Sequence, residues 1–480
     1  MQKLLAGARL RHLREDRGLS QVELARRLEL SPSYLNQIER DQRPLTVPVL
    51  LKLTECFGVD PEFFSPQDTA RLIAELREAL LDETLDVRVS SSEIAELAAN
   101  QPTIGRALIT LRRRYRDMLD HTSALLDGRG SPEVDVPPAM MPHEQVRDFF
   151  YDRQNYIAPL DEEAERIAAE LAPRAADLRV GLAARLRDLH GVRVVQQPAR
   201  PSSGELRAYD AATRVLRLAR QLRAGQQAFQ LATQLALLEH DGLLDELVAS
   251  GGLASPEAGA LTRIGLAHYY AGATLMPYGI FHAAAETERY DIERLADRFG
   301  VSFEVVCHRL STLQRPRLRG VPFSFVRVDR AGNISKRQSA TGFHFSRSGG
   351  SCPLWNVYEA FTTPGRILTQ VAQMPDGRSY FWIARTVARK RTGYGEPTKT
   401  FALGLGCELR HAHRLIYARG LDLDDRALAT PIGMGCRTCE RTHCPQRAFP
   451  PVGRRLEIDE DRATFAPYAV QAAGAAPKDA

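Results

Sequence analysis

The sequence predicts a multidomain protein that is mainly α-helical, with α+β parts. The first reason is length, because 480 residues are too many for one domain of about 100 to 200 residues. The second is a pair of short, capped helices near the N-terminus, and the third is a change from helical spacing to strand-like runs after about residue 316. The composition, 44% hydrophobic and 26% charged, excludes a wholly disordered chain.

Shifts in composition divide the chain into six predicted segments. They are a five-helix domain (1–64), a helical connector (65–127), a Gly- and Pro-rich linker (128–142), an α+β domain (143–315), a C-terminal α+β domain with a cysteine cluster (316–466) and a disordered tail (467–480). Within the connector, helix breaks are expected at 87–92 and at Pro102. Strands are predicted at 192–195, 215–218, 323–328, 342–345, 380–384 and 400–405.

The five-helix domain contains a helix-turn-helix pattern. Ser20 precedes one helix and has Glu23 three residues later, which is a capping box. Ser31 caps the next helix, with Pro32 in its first turn. Two short helices joined by a tight turn form a helix-turn-helix candidate.

In a helix-turn-helix, the second helix enters the major groove and its short or polar side chains reach the base edges. The predicted DNA-binding residues are Gln21, Ser31, Ser33, Tyr34, Asn36, Gln37, Arg40 and Arg43. Gln21, Arg40 and Arg43 are expected to bind phosphates of the DNA backbone. The partner is then a double-stranded DNA operator. The alternative is a helical bundle whose Ser and Gln residues only cap helices.

Two wider features bear on this DNA partner. Only six of the 64 basic residues are Lys, so Arg, which suits phosphate recognition, dominates the net charge of +5. One helix-turn-helix contacts too little DNA for genomic specificity, whereas two half-sites multiply the discrimination. We therefore expect a homodimer.

The motif itself resembles a known class. The sequence Arg-x-x-Arg-x-x-x-Gly-Leu-Ser-Gln-x-x-Leu-Ala is followed by Leu-Ser-Pro-Ser-Tyr-Leu-Asn-Gln-Ile-Glu-Arg. Together they resemble the phage-repressor (xenobiotic-response-element) class of DNA-binding domains over residues 5–64.

Residues 229–240 and 266–277, the latter ending in Leu-Met-Pro, resemble the IrrE-like zinc peptidase fold. That chemistry needs His-Glu-x-x-His on one helix and an acidic ligand on a later helix. The corresponding positions hold Thr233, Gln234, Leu237 and either Ile264 or Leu266. The sequence therefore predicts a degenerate zincin-like domain over 143–315, used for ligand sensing or dimer contact, and no catalytic residues.

The cysteine cluster is Cys436-x-x-Cys439-x4-Cys444-Pro445. Clustered thiolates can hold a metal, and Cys followed by Pro also ends iron–sulfur runs. A fourth ligand is needed, and Cys407 is nearest in sequence with Cys352 next, whereas His443, His411 and His413 would suit zinc better. The spacing alone does not distinguish an iron–sulfur cluster from a zinc site. The alternative to both is a loop with three reduced cysteines that bind no metal. The predicted metal ligands are Cys407, Cys436, Cys439 and Cys444.

Several later segments resemble one family over residues 5–455. They include Arg-Tyr-Asp-Ile-Glu (289–293), Cys-His-Arg-Leu-Ser-Thr-Leu-Gln-Arg (307–315), Asp-Arg-Ala-Gly-Asn-Ile-Ser-Lys-Arg (329–337) and Gly-Gly-Ser-Cys-Pro-Leu-Trp-Asn (349–356). These are similar to the short-chain fatty-acyl-CoA regulators, which include propionate and acetate metabolism regulators. The resemblance implies an acyl-CoA effector and, in some members, a four-iron, four-sulfur cluster, so iron–sulfur is favoured over zinc.

The segment 315–347 holds eight basic residues against the single acid Asp329. A charge run is often only a solvated face. The functional interpretation is a pocket for the phosphates of coenzyme A, with Lys336 and Arg337 as the predicted contacts.

The sequence thus predicts a cytoplasmic, homodimeric transcription regulator and not an enzyme. The longest uncharged run, 264–285, contains Pro277 and two His residues, so no membrane span is expected. One alternative is a redox-sensing regulator switched by the cluster alone. Another is a DNA-tethered zinc peptidase, which the missing ligands disfavour.

Overall fold

The computed structural model opens with four short helices around one core. Helices α1 to α4 are Gly7–Asp16, Gln21–Arg27, Pro32–Glu39 and Val47–Phe57. Helical spacing turns Leu10, Leu24, Leu35, Ile38 and Leu53 inward, and all five are fully buried. The predicted fifth helix falls partly on residues 58–65, which lie outside the described part of the chain.

The structure describes most of the chain. The described residues are 7–40, 42–57, 66–80, 89–126, 141–172, 177–197, 205–341, 343, 351–389, 398–437, 439, 441, 444–451, 456, 458 and 461. The predicted tail, almost all of the predicted linker and most of the strand expected at 342–345 therefore lie outside them.

Three helices follow in the connector. Helices α5, α6 and α7 are Pro66–Leu80, Ser91–Asn100 and Pro102–Leu126. The expected break at Pro102 is confirmed, because α6 ends at Asn100 and α7 begins at Pro102. Leu72, Leu76 and Ile94 are among the residues of a second small core.

The chain folds into two compact units. The first contains residues 1–116, 342–344 and 449–480, and the second contains residues 117–341 and 345–448. The predicted domain boundaries at 64, 127, 142, 315 and 466 stay predictions.

After the end of α7, the described residues of the second unit up to Leu310 form nine helices and a three-stranded sheet. The helices are α8 (Pro142–Asp152), α9 (Ala158–Leu171), α10 (Leu178–His190), α11 (Ala224–Glu239), α12 (Asp241–Ala249), α13 (Pro256–Leu275), α14 (Tyr278–Thr287), α15 (Ile292–Phe299) and α16 (Phe303–Leu310). The strands are β1 (Arg193–Gln197), β2 (Arg207–Asp210) and β3 (Val215–Ala219). Their order is β1-β3-β2, with β1 parallel and β2 antiparallel to β3.

A six-stranded sheet with one short helix follows. Its elements are β4 (Ser324–Val328), β5 (Ile334–Ser339), α17 (Asn356–Glu359), β6 (Leu368–Gln373), β7 (Ser379–Arg389), β8 (Lys399–Glu408) and β9 (Thr430–Pro431). The order is β5-β4-β8-β7-β6-β9, antiparallel except for β6 and β9.

The two faces of this sheet have different neighbours. Phe325, Phe381 and Leu405 face a core shared with α14 to α16. On the other face, the Trp382 ring lies against Gly406 and meets the Trp355 ring, with centroids 4.7 Å apart. The strands expected at 323–328, 380–384 and 400–405 are confirmed, whereas β5, β6 and β9 were not predicted.

Among the described residues, every helix is too short or too polar to cross a lipid bilayer.

Candidate DNA-binding face and cysteine site

Helices α2 and α3 begin at the residues that the sequence predicts. The Glu23 N–H donates to Ser20 Oγ at 3.2 Å, and the Ser20 N–H donates to a Glu23 carboxylate oxygen at 2.8 Å. Ser31 Oγ accepts from the Tyr34 N–H at 3.1 Å. Between the helices, Glu29 has a φ of 52°, the left-handed conformation of a tight turn. The predicted helix-turn-helix is therefore present.

A buried carboxylate joins the two helices. Glu39, at the end of α3, is only 3% exposed. Arg14 Nε donates to its Oε1 at 2.7 Å, and Gln21 Nε2 donates to its Oε2 at 2.9 Å. Sequence reasoning did not pick out this contact, because Arg14 and Glu39 lie 25 residues apart.

The predicted DNA-binding residues divide into exposed and half-buried groups. Ser31, Ser33, Arg40 and Arg43 are exposed, and Gln21, Tyr34, Asn36 and Gln37 are half-buried. Gln21 also lies 3.4 Å from Asn36 Oδ1, so its amide group is engaged within the domain. The Arg43 guanidinium lies 5.5 Å from the centre of the Tyr34 ring. α3 therefore has a polar face, and the cations Arg40 and Arg43 follow its C-terminal end.

The degenerate zinc site holds no zinc-ligand set at the expected positions. Thr233 is fully buried and donates to the Phe229 carbonyl at 2.7 Å, a bond within its own helix. Leu266 is fully buried, whereas Ile264 is 44% exposed. These side chains cannot coordinate zinc or act as a base.

Four cysteines surround one recess in the second unit. Cys352, Cys436, Cys439 and Cys444 line one small recess. Cys439 lies against Gly433, where an added Cβ would approach its sulfur to 2.6 Å. Burial raises the pKa of the Cys352 and Cys439 thiols. Among the described residues, no group of three His, Cys, Asp or Glu side chains is close enough together to hold one metal ion.

Arg447 organises the loop that carries three of these thiols. It is 3% exposed and donates to the Cys436 carbonyl at 2.8 Å and the Cys439 carbonyl at 3.2 Å. The Ala448 N–H also donates to Cys436 Sγ at 3.4 Å. A buried cation and an N–H beside the sulfurs stabilise negative charge on them.

Cys407, the expected fourth ligand, does not line the recess. It is fully buried on β8 within the core that faces α14 to α16, and burial strongly raises the pKa of its thiol. Cys352 occupies the fourth place in the recess instead. A sequence signal was available, because Cys352-Pro353 repeats the Cys-Pro pair at Cys444. Of the remaining cysteines, Cys307 is buried and Cys56 is exposed. His443 lies outside the described residues.

The two basic residues expected to share one phosphate site lie on opposite faces of β5. Lys336 pairs directly with Arg327, and Arg337 pairs with Val326. Successive residues of a strand alternate faces, and directly opposed residues share one. Arg327 contacts Glu304 of α16, which places Lys336 on the helix-covered face. Arg337 therefore does not share a site with Lys336.

The chain combines a helix-turn-helix, whose polar second helix is followed by two Arg residues, with a peptidase-like domain that lacks its zinc ligands. This combination defines a DNA-binding transcription regulator. Three family models match the chain in succession. They are a helix-turn-helix domain (5–63), an IrrE N-terminal-like domain (187–311) and the C-terminal domain of the short-chain fatty acyl coenzyme A regulators (312–468).

Curated relatives match almost the whole chain. The HTH-type transcriptional regulator RamB of Mycobacterium tuberculosis is 55% identical, over 98% of this chain and 100% of its own. PrpR of the same species is 53% identical over 97% and 96%, and the propionyl-CoA carboxylase regulator of Cereibacter sphaeroides is 43% identical over 98% and 99%. The chain therefore belongs to the short-chain fatty acyl-CoA regulator family. Since these relatives are transcription regulators, the prediction that it is not an enzyme is confirmed.

A solved structure is also similar. A Mycobacterium tuberculosis transcriptional regulator is 57% identical, with a TM-score of 0.66, and the match covers 68% of this chain and 99% of that one.

Proposed function

We propose that the chain is a homodimeric regulator of propionate- or acetate-type metabolism that binds an operator, responds to a short-chain acyl-CoA and holds an iron–sulfur cluster. The observation that carries the proposal is the exposed polar face of α3. This helix belongs to a helix-turn-helix that the contacts of Glu39 hold together. The chain that contains it belongs to the short-chain fatty acyl-CoA regulator family. One relative is named a propionyl-CoA carboxylase regulator, which supports the metabolic assignment.

We infer the homodimer from the short length of DNA that one helix-turn-helix domain can contact. Helix α3 has eight residues, so it covers a short stretch of major groove. Two copies on a pseudo-palindromic operator read two half-sites, and the discrimination multiplies. Symmetry of the operator then mirrors that of the protein.

The cluster assignment uses the four cysteines of the recess. In an iron–sulfur cluster each thiolate binds a different iron, so the thiols stand around a volume, whereas zinc draws four ligands onto one ion at about 2.3 Å. Thiols that line a recess suit the first arrangement. Cys352, Cys436, Cys439 and Cys444 would hold the cluster, and zinc remains the alternative.

The test measures DNA affinity of the full-length chain, prepared without air, with and without thioesters. The operator is first selected from a random DNA library. Propionyl-CoA or acetyl-CoA should change operator affinity at least fivefold, the scale of ordinary allosteric coupling of about 1 to 3 kcal/mol. Free coenzyme A serves as the control ligand.

Three results would contradict parts of this proposal. Failure to select any DNA would reject operator binding. If operator affinity is the same with and without each thioester but changes on exposure to air, the redox-sensing alternative is favoured. A monomer bound to a single half-site would reject the dimer.

A further inference from the structure

Helix α7 carries a group of exposed apolar side chains on one face. Ile104, Leu111 and Tyr115 are 52%, 62% and 46% exposed, and Leu108 between them is half-buried. Successive residues of an α-helix are about 100° apart, so these four side chains lie within about 60° of arc. We call these four residues the α7 stripe. A monomeric protein rarely exposes a contiguous group of large apolar side chains, so the stripe indicates an interaction surface.

The helix uses a different face for the core that it shares with α5 and α6. Ile109 is buried in that core, and a Cβ added at Gly105 would lie 3.1 Å from the Leu76 side chain. Gly105 and Ile109 are about 100° around the helix from the middle of the stripe. Leu108 lies at the border and also packs against the core. The other three stripe residues remain exposed after α7 has packed against α5.

The spacing of the stripe indicates that its partner is another helix. From Ile104 to Tyr115 the intervals are 4, 3 and 4 residues, and a further 3 residues lead to Met118, which is 52% exposed. Alternating intervals of 3 and 4 are the heptad pattern by which helices pair in a left-handed coiled coil. A helix that lies on a lipid surface has a wider apolar face and needs no such repeat.

Two copies of α7 fit each other when they run parallel. In a parallel pair with two-fold symmetry, each stripe residue meets the same residue of the other copy, so every layer is matched in size. Beside the seam, Ala107 of one copy would face Arg112 of the other. These flanking positions therefore bring no two like charges together, and self-pairing in this register is electrostatically allowed.

We propose that the α7 stripe is the homodimer interface of this chain, formed as a parallel two-stranded coiled coil with α7 of a second copy. A parallel pair brings the N-terminal ends of both helices to the same end of the coil. The two segments that lead back to the helix-turn-helix domains start there, so both domains can reach half-sites of one DNA molecule. The need for a dimer rests on the function proposed above, whereas the heptad seam is a property of α7 itself.

The test is sedimentation equilibrium of the full-length chain, prepared without air. Leu111→Glu should weaken dimerisation about a hundredfold or more, because one substitution removes two buried Leu side chains and sets two carboxylates against each other. Thr110→Glu is the matched control. It adds the same charge at an exposed position one residue away on α7, outside the stripe, and should dimerise like the parent chain.

A mixing experiment separates self-pairing from misfolding of the variant. Leu111→Lys alone should also be monomeric. An equal mixture of Leu111→Lys and Leu111→Glu should form a heterodimer, because parallel pairing places the ammonium group of one copy opposite the carboxylate of the other. A misfolded variant would not be rescued in this way. A mixture that stays monomeric would overturn the parallel seam.

The remaining outcomes separate the stripe from the function proposed above. If the parent and Leu111→Glu form dimers of equal stability, the stripe is wrong and the homodimer stands. If the parent dimerises only on operator DNA, Leu111→Glu should bind the two half-sites independently, and cooperative binding by this variant would reject the stripe. A parent chain that is monomeric both free and on the operator rejects the homodimer together with its proposed interface.

Discussion

Asn36 and Gln37 are the fifth and sixth residues of α3, the helix expected to enter the major groove. We predict that Asn36→Ala and Gln37→Ala each weaken operator binding by about 1 to 3 kcal/mol and leave binding to random DNA nearly unchanged. Arg43→Ala, expected on a phosphate, should weaken both and reduce the salt dependence by about one unit of slope. Fluorescence anisotropy at several salt concentrations measures all three. Equal losses on operator and random DNA would show that Asn36 and Gln37 are not base readers.

Also at the residue scale, two cysteines that are both buried lie in different surroundings. Cys352 and Cys407 both have buried thiols, but one lines the recess and the other packs in a core. Burial alone therefore does not identify a ligand. What distinguishes Cys352 is that three other thiols share its recess.

At the scale of elements, the α2–α3 pair depends on the buried Glu39. We predict that Glu39→Gln destabilises the packing of α3 against α1 and α2 by about 3 to 5 kcal/mol, because it removes the buried charge that Arg14 of α1 and Gln21 of α2 contact. Hydrogen exchange of the full-length chain should show backbone amides of α2 and α3 exchanging at least a hundredfold faster.

A matched control exists in the same domain. Glu29→Gln removes an equally charged partner from the exposed ion pair with Lys52. Exposed pairs contribute little, so exchange in α2 and α3 should not change. If Glu39→Gln also leaves exchange unchanged, the buried Glu39 carboxylate does not hold α3 against its neighbouring helices.

At the scale of the whole molecule, the cysteine site links segments far apart in the chain. Cys352 precedes α17, and Cys436 follows β9, which pairs with the edge strand β6. We predict that Cys352→Ser removes most of the bound iron, whereas Cys407→Ala keeps it. Iron analysis of protein purified without air, together with the visible spectrum, measures this. Retained iron in Cys352→Ser and lost iron in a well-folded Cys407→Ala would restore Cys407 as the ligand.

Loss of the cluster should also act locally. The recess lies in the second unit, whereas Asn36 and Gln37 lie in the first. Cys352→Ser should therefore alter the response to propionyl-CoA more than the basal operator affinity. The opposite result would show that the cluster supports DNA binding directly.

Features set by neighbouring residues could be predicted from the sequence. Ser20 and Ser31 mark the starts of α2 and α3 because a cap needs only a side-chain oxygen and backbone N–H groups within one turn. The three cysteines from Cys436 to Cys444 were grouped correctly because they share nine residues. The core leucines follow the helical repeat, which is also local.

Features that depend on pairing between distant segments could not be predicted from the sequence. The strand β5 is mostly polar, and β9 spans two residues, so neither carries a clear strand pattern. That Lys336 and Arg337 lie on opposite faces of β5 could not be predicted for a related reason. Their faces depend on the pairing of β5 with β4 and on which face α16 covers.

By itself, then, the sequence determined the DNA-reading helix, the loss of the zinc ligands, the family and three of the four cysteines, because each is a pattern of side chains at short, fixed spacing. Only the tertiary structure decided that Cys352 and not Cys407 completes the recess, and that Glu39 locks the helix-turn-helix. Arg14 and Glu39, for example, lie 25 positions apart. Strand register and helix packing, which depend on the whole core at once, bring them together.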